Sequence, residues 1–183
     1  KSLCPECLKF LKATIFEEND KVWIEKKCPK HGIFKDLYWG DYQMYLKAMK
    51  FYHNGKGIWN PSVKIENPLC PTVCGLCKLH TSHTALGNIV VTNRCDLQCF
   101  YCFFYAKAMG YVYEPSLEQI RMMLRVMREV KPVRTNAVQL TGGEPLMRDD
   151  IIEIIKIAKQ EGYDHVQLNT NGICLSQNFE VVK

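Results

Sequence analysis

The stretch NIVVTNRCDLQCFYC, residues 88 to 102, decides the fold of this chain. Its first half is an apolar, β-branched run that reads as a strand. Its second half sets Cys95, Cys99 and Cys102 immediately past that strand's end. Downstream, SLEQIRMMLRVMREV places Leu117, Ile120, Leu124 and Met127 at helical spacing, with Ser116 and Gln119 as a capping box. AVQL is the next strand and runs into TGGEP. DIIEIIKIAKQEG follows as a helix, with Asp150 and Glu153 at capping-box spacing and Gly162 as its stop. HVQLNTNG is a third strand with its exit loop.

Strands alternating with helices imply parallel pairing and an α/β fold. Three such units make half of a (β/α) barrel. In that architecture chemistry collects at the C-terminal ends of strands, and Cys95, Gly142 to Pro145 and Asn171 all fall just past such ends.

Upstream, the spacing C-x3-C-x2-C occurs a second time at Cys70, Cys74 and Cys77, with no strand before it. It reads as a second metal site: an auxiliary cluster, or ligation shared with the N-terminal region. His80 and His83 stay outside the ligand set. At the N-terminus, Cys4 and Cys7 form one knuckle, and Cys28 and His31 another. ATIF and KVWIE around the turn EENDK form a hairpin that brings the knuckles together, as in a zinc ribbon or a rubredoxin-like site. The fourth ligand is open between His31 and a cysteine of residues 70 to 77, and the ion between zinc and iron.

The chain therefore divides into a metal-binding hairpin over residues 1–35, a connector over 36–86, and a truncated half barrel over 87–183. The connector carries the helix DYQMYLKAMKFY, capped by Asp41, whose aromatics and methionines are expected to pack into a core. Both ends look cut.

Nine of the ten cysteines fall in tight groups with two or three residues between ligands, which is metal-ligand rather than disulfide spacing. The net charge of +5 is spread without a basic run, so nucleic acid is not an expected partner. No stretch approaches the ~18 apolar residues of a membrane span, and no signal peptide is evident. The expected location is the cytoplasm, with room for peripheral membrane contact. Arg121, Arg125 and Arg128 read as the solvated face of a helix, and Cys174 as a small buried hydrophobe.

NRCDLQCFYC together with TGGEP resembles the radical S-adenosylmethionine superfamily, whose cluster loop reads C-x3-C-x-aromatic-C and whose second strand ends in a GGE-type motif. The resemblance implies that Cys95, Cys99 and Cys102 hold three irons of a 4Fe-4S cluster, leaving one iron for S-adenosylmethionine. Electron transfer into the sulfonium would then release a 5′-deoxyadenosyl radical that removes hydrogen from an unactivated carbon. On this reading Gly142 and Gly143 let the backbone approach the cofactor's methionine portion and Glu144 accepts from its ammonium. Tyr101 lies against adenine, offers its backbone, or simply packs. Asn171 reaches the ribose or carboxylate, or is an ordinary turn residue.

CPECLKF, KKCPKHG, CPTVCGLCKLHTSHTALGNIVVTNRC, GYVYEPSLEQI and QLNTNGI extend the resemblance to a subgroup that includes archaeal tetraether lipid synthases. That implies an archaeal isoprenoid ether lipid as substrate, coupling of two chain ends by a carbon–carbon bond, and a ferredoxin or flavodoxin as electron donor. The alternatives are a radical methylase or other oxidoreductase on a soluble substrate, and a non-catalytic electron carrier.

Overall fold

The computed structural model describes residues 2–66, 68, 73, 75–104, 106 and 109–177, and the chain divides into two compact units, residues 1–53 and 54–183.

The first unit is a small antiparallel ribbon. Strands β1 (Ser2–Leu3) and β2 (Phe10–Leu11) pair with each other, and β3 (Ala13–Glu18), β4 (Lys21–Cys28) and β5 (Gly32–Trp39) form a three-stranded sheet in that order. The β3–β4 turn has Asn19 and Asp20 both at positive φ (55° and 57°). Two such residues match the right-handed strand twist, which is why Asn-Asp serves here. The sheet continues past the expected limit at residue 35, because β5 pairs along β4 from Cys28–Gly32 to Val22–Trp39.

Helix α1 (Tyr42–Met49) is capped as expected, with the Asp41 carboxylate accepting from Met44 N–H at 2.8 Å. It belongs to this first unit rather than to a connector. The Tyr42 N–H donates to the Asp20 carbonyl, and the Tyr45 ring meets Tyr38 and Trp39 edge-on. Its methionines and aromatics do not fill a core, since no residue of α1 is buried.

The second unit holds a parallel sheet of β6 (Leu86–Thr92), β7 (Ala137–Gly142) and β8 (His165–Leu168), in that order. Helix α2 (Leu117–Arg128) connects β6 to β7. A 3-10 turn (Pro145–Met147) and α3 (Ile151–Gln160) connect β7 to β8, and α4 (Ile173–Gln177) follows. Ile120 and Leu124 from α2, Ile154 and Ile157 from α3, and Ile89, Val91, Val138 and Leu140 from the sheet form one buried core. Both halves of the capping box at Ser116 and Gln119 are present. These three strands form an open sheet, so barrel closure remains what the family resemblance implies.

Three local expectations fail, the first two because charged or polar partners take the side chains concerned. Asp150 makes no side-chain cap to α3; its carboxylate accepts from both arms of the Arg148 guanidinium at 2.7 Å, a stronger, charge-assisted pair. Arg121, Arg125 and Arg128 are not a free solvated face. Arg121 and Arg125 both pair with Glu161 at the end of α3, while Arg128 donates to Asn136 and lies over the Tyr163 ring. Cys174 is half-buried rather than buried.

Candidate active site and metal centre

The exits of β6 and β7 meet at the glycines. Gly143 N–H donates to the Thr92 carbonyl at 2.8 Å, and Glu144 N–H to the Arg94 carbonyl at 2.7 Å. A Cβ at Gly142 would overlap the Thr92 carbonyl oxygen, and one at Gly143 the Arg94 carbonyl oxygen. Gly142 also sits at φ 145°, a conformation that L side chains rarely adopt. The two glycines are thus demanded by strand-to-strand contact, a reason distinct from cofactor approach.

The segment that leaves β6 is anchored at both ends. Buried Asn93 donates to the Tyr111 carbonyl at 2.7 Å and accepts from Tyr113 N–H at 2.8 Å, closing the base of the loop that carries the cysteines. Arg94 bridges Glu114 and the Met147 carbonyl. Buried Arg148 donates to the carbonyls of Val91 and Pro115. None of these long-range struts carries a sequence signature; a buried arginine can be found only from the three-dimensional pairing.

Partial burial pulls the Glu114 carboxyl upward, but hydrogen bonds from Arg94 and Thr92 outweigh it, leaving its pKa below the ordinary 4.5. Arg148 likewise holds Asp150 below its ordinary 3.8, and Arg125 and Arg121 hold Glu161 below 4.5. Depressed carboxylates stabilise the fold above their unfolded pKa values and lose that contribution as pH falls through the folded ones. Acid unfolding of the second unit should therefore steepen below about pH 4.5, and Asp150→Asn should flatten the fall. Urea midpoints measured from pH 6 to pH 3 check this.

Cys95, Cys99, Cys102, Tyr101, Gly142, Gly143 and Asn171 line one cavity of about 250 Å³ at the C-terminal ends of the strands. The three thiols are half-buried. Burial first, then the negative charges of Asp96 and Glu144, push the Cys95 thiol upward against the Leu97 N–H that bonds its sulfur. A cation at the sulfur would reverse that balance, and three thiols on one cavity are a donor set that a 4Fe-4S cluster accepts.

Glu144 is held by donors from within the protein. It is buried behind the cavity, and its carboxylate already accepts from Leu146 N–H, the Thr170 hydroxyl and Asn171 N–H at 2.7–2.9 Å. With about four lone-pair sites on a carboxylate, one is left for a cofactor ammonium. Asn171 is also engaged: its side-chain amide donates to Asp96 at 2.7 Å, and its side-chain oxygen accepts from Ile173 N–H.

In the ribbon, Cys4, Cys7, Cys28 and His31 place their ligand atoms within 4.8 Å of one another. A tetrahedral ion about 2.3 Å from sulfur and about 2.05 Å from nitrogen needs edges of about 3.8 Å between sulfurs and about 3.5 Å between sulfur and nitrogen. Cys7 Sγ lies 3.9 Å from Cys28 Sγ, and His31 Nδ1 lies 3.5 Å from Cys4 Sγ and 3.6 Å from Cys28 Sγ. The geometry fits, and it closes the fourth position on His31. Burial raises the Cys28 thiol, but the N–H groups of Lys30 and His31 and the side chains of Cys4 and His31 more than offset this, bringing it down to about 6.

Of the upstream triplet, Cys70 and Cys74 lie outside the described residues. Cys77 is buried, and its neighbour Leu76 shares a cavity with Leu86 and Gly87, where β6 begins. His80, left out of the ligand set from sequence, sets Nδ1 3.5 Å from Cys77 Sγ, but the same nitrogen lies 3.3 Å from the Cys77 backbone nitrogen and 3.2 Å from the Cys77 carbonyl oxygen, in keeping with a histidine that satisfies backbone groups.

A parallel α/β unit with three thiols beyond its first strand and a Gly-Gly-Glu exit beyond its second defines a class of iron–sulfur enzyme fold. Residues 89–183 match the radical SAM superfamily, and the chain belongs to it. Residues 1–40 match the HMPTM N-terminal zinc ribbon domain.

Over all 183 residues the chain is 53% identical to the 7,8-dihydro-6-hydroxymethylpterin dimethyltransferase of Methanocaldococcus jannaschii, covering 35% of that protein. Over 88 residues, 48% of this chain, it is 39% identical to a probable GTP 3′,8-cyclase of Saccharolobus solfataricus, covering 27% of that protein. The chain thus spans about a third of the length of the first relative and matches about a quarter of the second. Among the described residues no helix is long and apolar enough to cross a membrane.

Proposed function

We propose that this chain is the cluster-binding part of a radical SAM enzyme, with Cys95, Cys99 and Cys102 as the cluster ligands and Tyr101, Gly142, Gly143, Glu144 and Asn171 on the cofactor side. The observation that carries the reading is the single cavity whose walls are these three thiols and the Gly142–Gly143 backbone, at the C-terminal ends of the strands. When bound, the cluster and S-adenosylmethionine supply a carbon radical able to take hydrogen from an unactivated C–H bond. The chain's own residues hold the three irons, keep the fourth side open and fix the loop that faces the cofactor. A ferredoxin or flavodoxin supplies the electron.

For the substrate, the reading best supported is methylation of a soluble pterin-like ring, because the relative named for that reaction matches this chain along its whole length, ribbon included. Coupling of isoprenoid lipid chain ends is the second reading. It is favoured by the exposed aromatics of the cluster loop, with Phe100 97% and Phe103 79% exposed. In either case Cys77 is not the place to hold a substrate radical, since its neighbour Leu76 shares a cavity with the start of β6 whereas Cys95 follows that strand's end. A metal held by Cys77 with Cys70 and Cys74 would serve structure or electron supply. The ribbon ion is zinc, in keeping with the three-cysteine, one-histidine set.

The test uses the full-length protein, purified without oxygen, reduced and given S-adenosylmethionine. Mass spectrometry would follow 7,8-dihydro-6-hydroxymethylpterin for added methyl groups and an archaeal diether lipid for loss of two hydrogens per new bond. Methylated pterin supports the first reading. Coupled lipid with unchanged pterin overturns it in favour of the second.

A further inference from the structure

The cluster loop is tied to the far strand by a contact that the proposed reaction does not itself require. Asp96 directly follows Cys95, and its Oδ1 lies 3.9 Å from the Cys95 sulfur. The same oxygen accepts from Asn171 Nδ2 at 2.7 Å, across 75 residues of sequence. Asn171 is held in turn from behind: its backbone N–H donates to Glu144 Oε2 at 2.7 Å, and its Oδ1 accepts from Ile173 N–H at 2.9 Å. Thr170, beside it, donates to the other oxygen of Glu144. Buried Glu144 thus fixes the β8 exit, and that exit fixes Asp96.

We infer that Asp96 and Asn171 form a latch that positions the Cys95–Cys102 loop against the strand ends, with Asn171 acting as a positioning residue through Asp96 and not as a contact to the cofactor. The inference rests on the assignment of this loop to the cluster. The latch does two things. It sets the loop, and so the open side of the site, relative to the Gly142–Gly143 wall. It also keeps a carboxylate beside one thiolate, and added negative charge near an iron–sulfur centre lowers its reduction potential.

A double-mutant cycle in the full-length, cluster-loaded protein tests this, reading S-adenosylmethionine affinity and cluster reduction potential by electron paramagnetic resonance. Asp96→Ala and Asn171→Ala should each weaken cofactor binding about three- to tenfold, as expected for one charge-assisted hydrogen bond near solvent. The double variant should be no worse than either single one, since both remove the same contact. All three should have a raised potential. Asp96→Asn keeps the accepting oxygen but not the charge, so it should bind the cofactor normally while its potential stays raised. The latch is overturned if Asn171→Ala weakens binding while Asp96→Ala does not, or if the two effects multiply; Asn171 would then touch the cofactor itself. If the wild type takes up a cluster yet gives no spectral change with S-adenosylmethionine, the radical assignment fails, and the latch with it.

Discussion

Cys28→Ser will leave the ribbon without a stable fold while the parallel sheet keeps its structure. The physical reason is the size of the ribbon's core. Its buried cluster consists of Cys4, Leu11 and Cys28 with Phe34 packed against them, so two of its central residues are themselves metal ligands. Ile33 and Leu37, on β5, are exposed. Units of this size rarely hold together on apolar burial alone. A structural zinc contributes on the order of 10–16 kcal/mol of apparent binding free energy, which in such a unit is folding free energy. Losing one of four ligands therefore removes most of what stabilises residues 13–39. Hydrogen exchange checks it: amides of β3 to β5 should exchange at the unfolded rate in Cys28→Ser and in chelator-treated wild type, while those of β6 and β7 stay protected. Ribbon protection that survives both treatments would show that the ion is dispensable.

Gly143→Ala has the second-largest expected effect. The added methyl group would overlap the Arg94 carbonyl oxygen and come within 2.9 Å of the Asn93 carbonyl oxygen, both of them backbone atoms that cannot rotate away. To make room, the hydrogen bonds from Gly143 N–H to Thr92 and from Glu144 N–H to Arg94 must lengthen or break. Leaving such groups unsatisfied costs about 1–3 kcal/mol each. The displaced segment leads directly into Cys95, and a shift of about 1 Å at a reacting site costs on the order of 100-fold in rate. We expect Gly143→Ala to fold with a lowered melting temperature and to lose 5′-deoxyadenosine formation by at least that factor. A variant with wild-type stability and turnover would mean that the two strand exits do not pack as described.

What could be read from the sequence was local or periodic. The N-cap at Asp41, the capping box at Ser116, the four-residue helical repeat of Ile120 and Leu124, and the strand run at Ile89 to Thr92 all encode themselves within one turn or one strand. The ribbon's hairpin was legible for the same reason, because its turn and its knuckles have fixed spacing. The failures came where a charged partner, near or far along the chain, takes the side chain. Asp150 has the spacing of a cap, but the nearby guanidinium of Arg148 outcompetes the helix N–H groups. Arg121 and Arg125 have the spacing of a surface stripe, yet Glu161 at the end of another helix collects both.

Gly142 and Gly143 stand out in the structure for a different reason from the one the sequence suggests. Sequence suggests a cofactor that needs room, whereas the structure adds the carbonyls of Thr92 and Arg94, which would collide with any side chain there. Glu144 repeats the lesson, since three donors within the protein hold the carboxylate expected to face a cofactor ammonium.

The most direct test of the central claim is 5′-deoxyadenosine formation by the reduced, iron-reconstituted full-length protein, wild type beside Cys99→Ala. The account predicts deoxyadenosine from the wild type and none from Cys99→Ala, with ribbon hydrogen exchange unchanged between them because its ion is held by other cysteines. Deoxyadenosine from Cys99→Ala at the wild-type rate, or none from a wild type carrying an intact and reduced cluster, would contradict it.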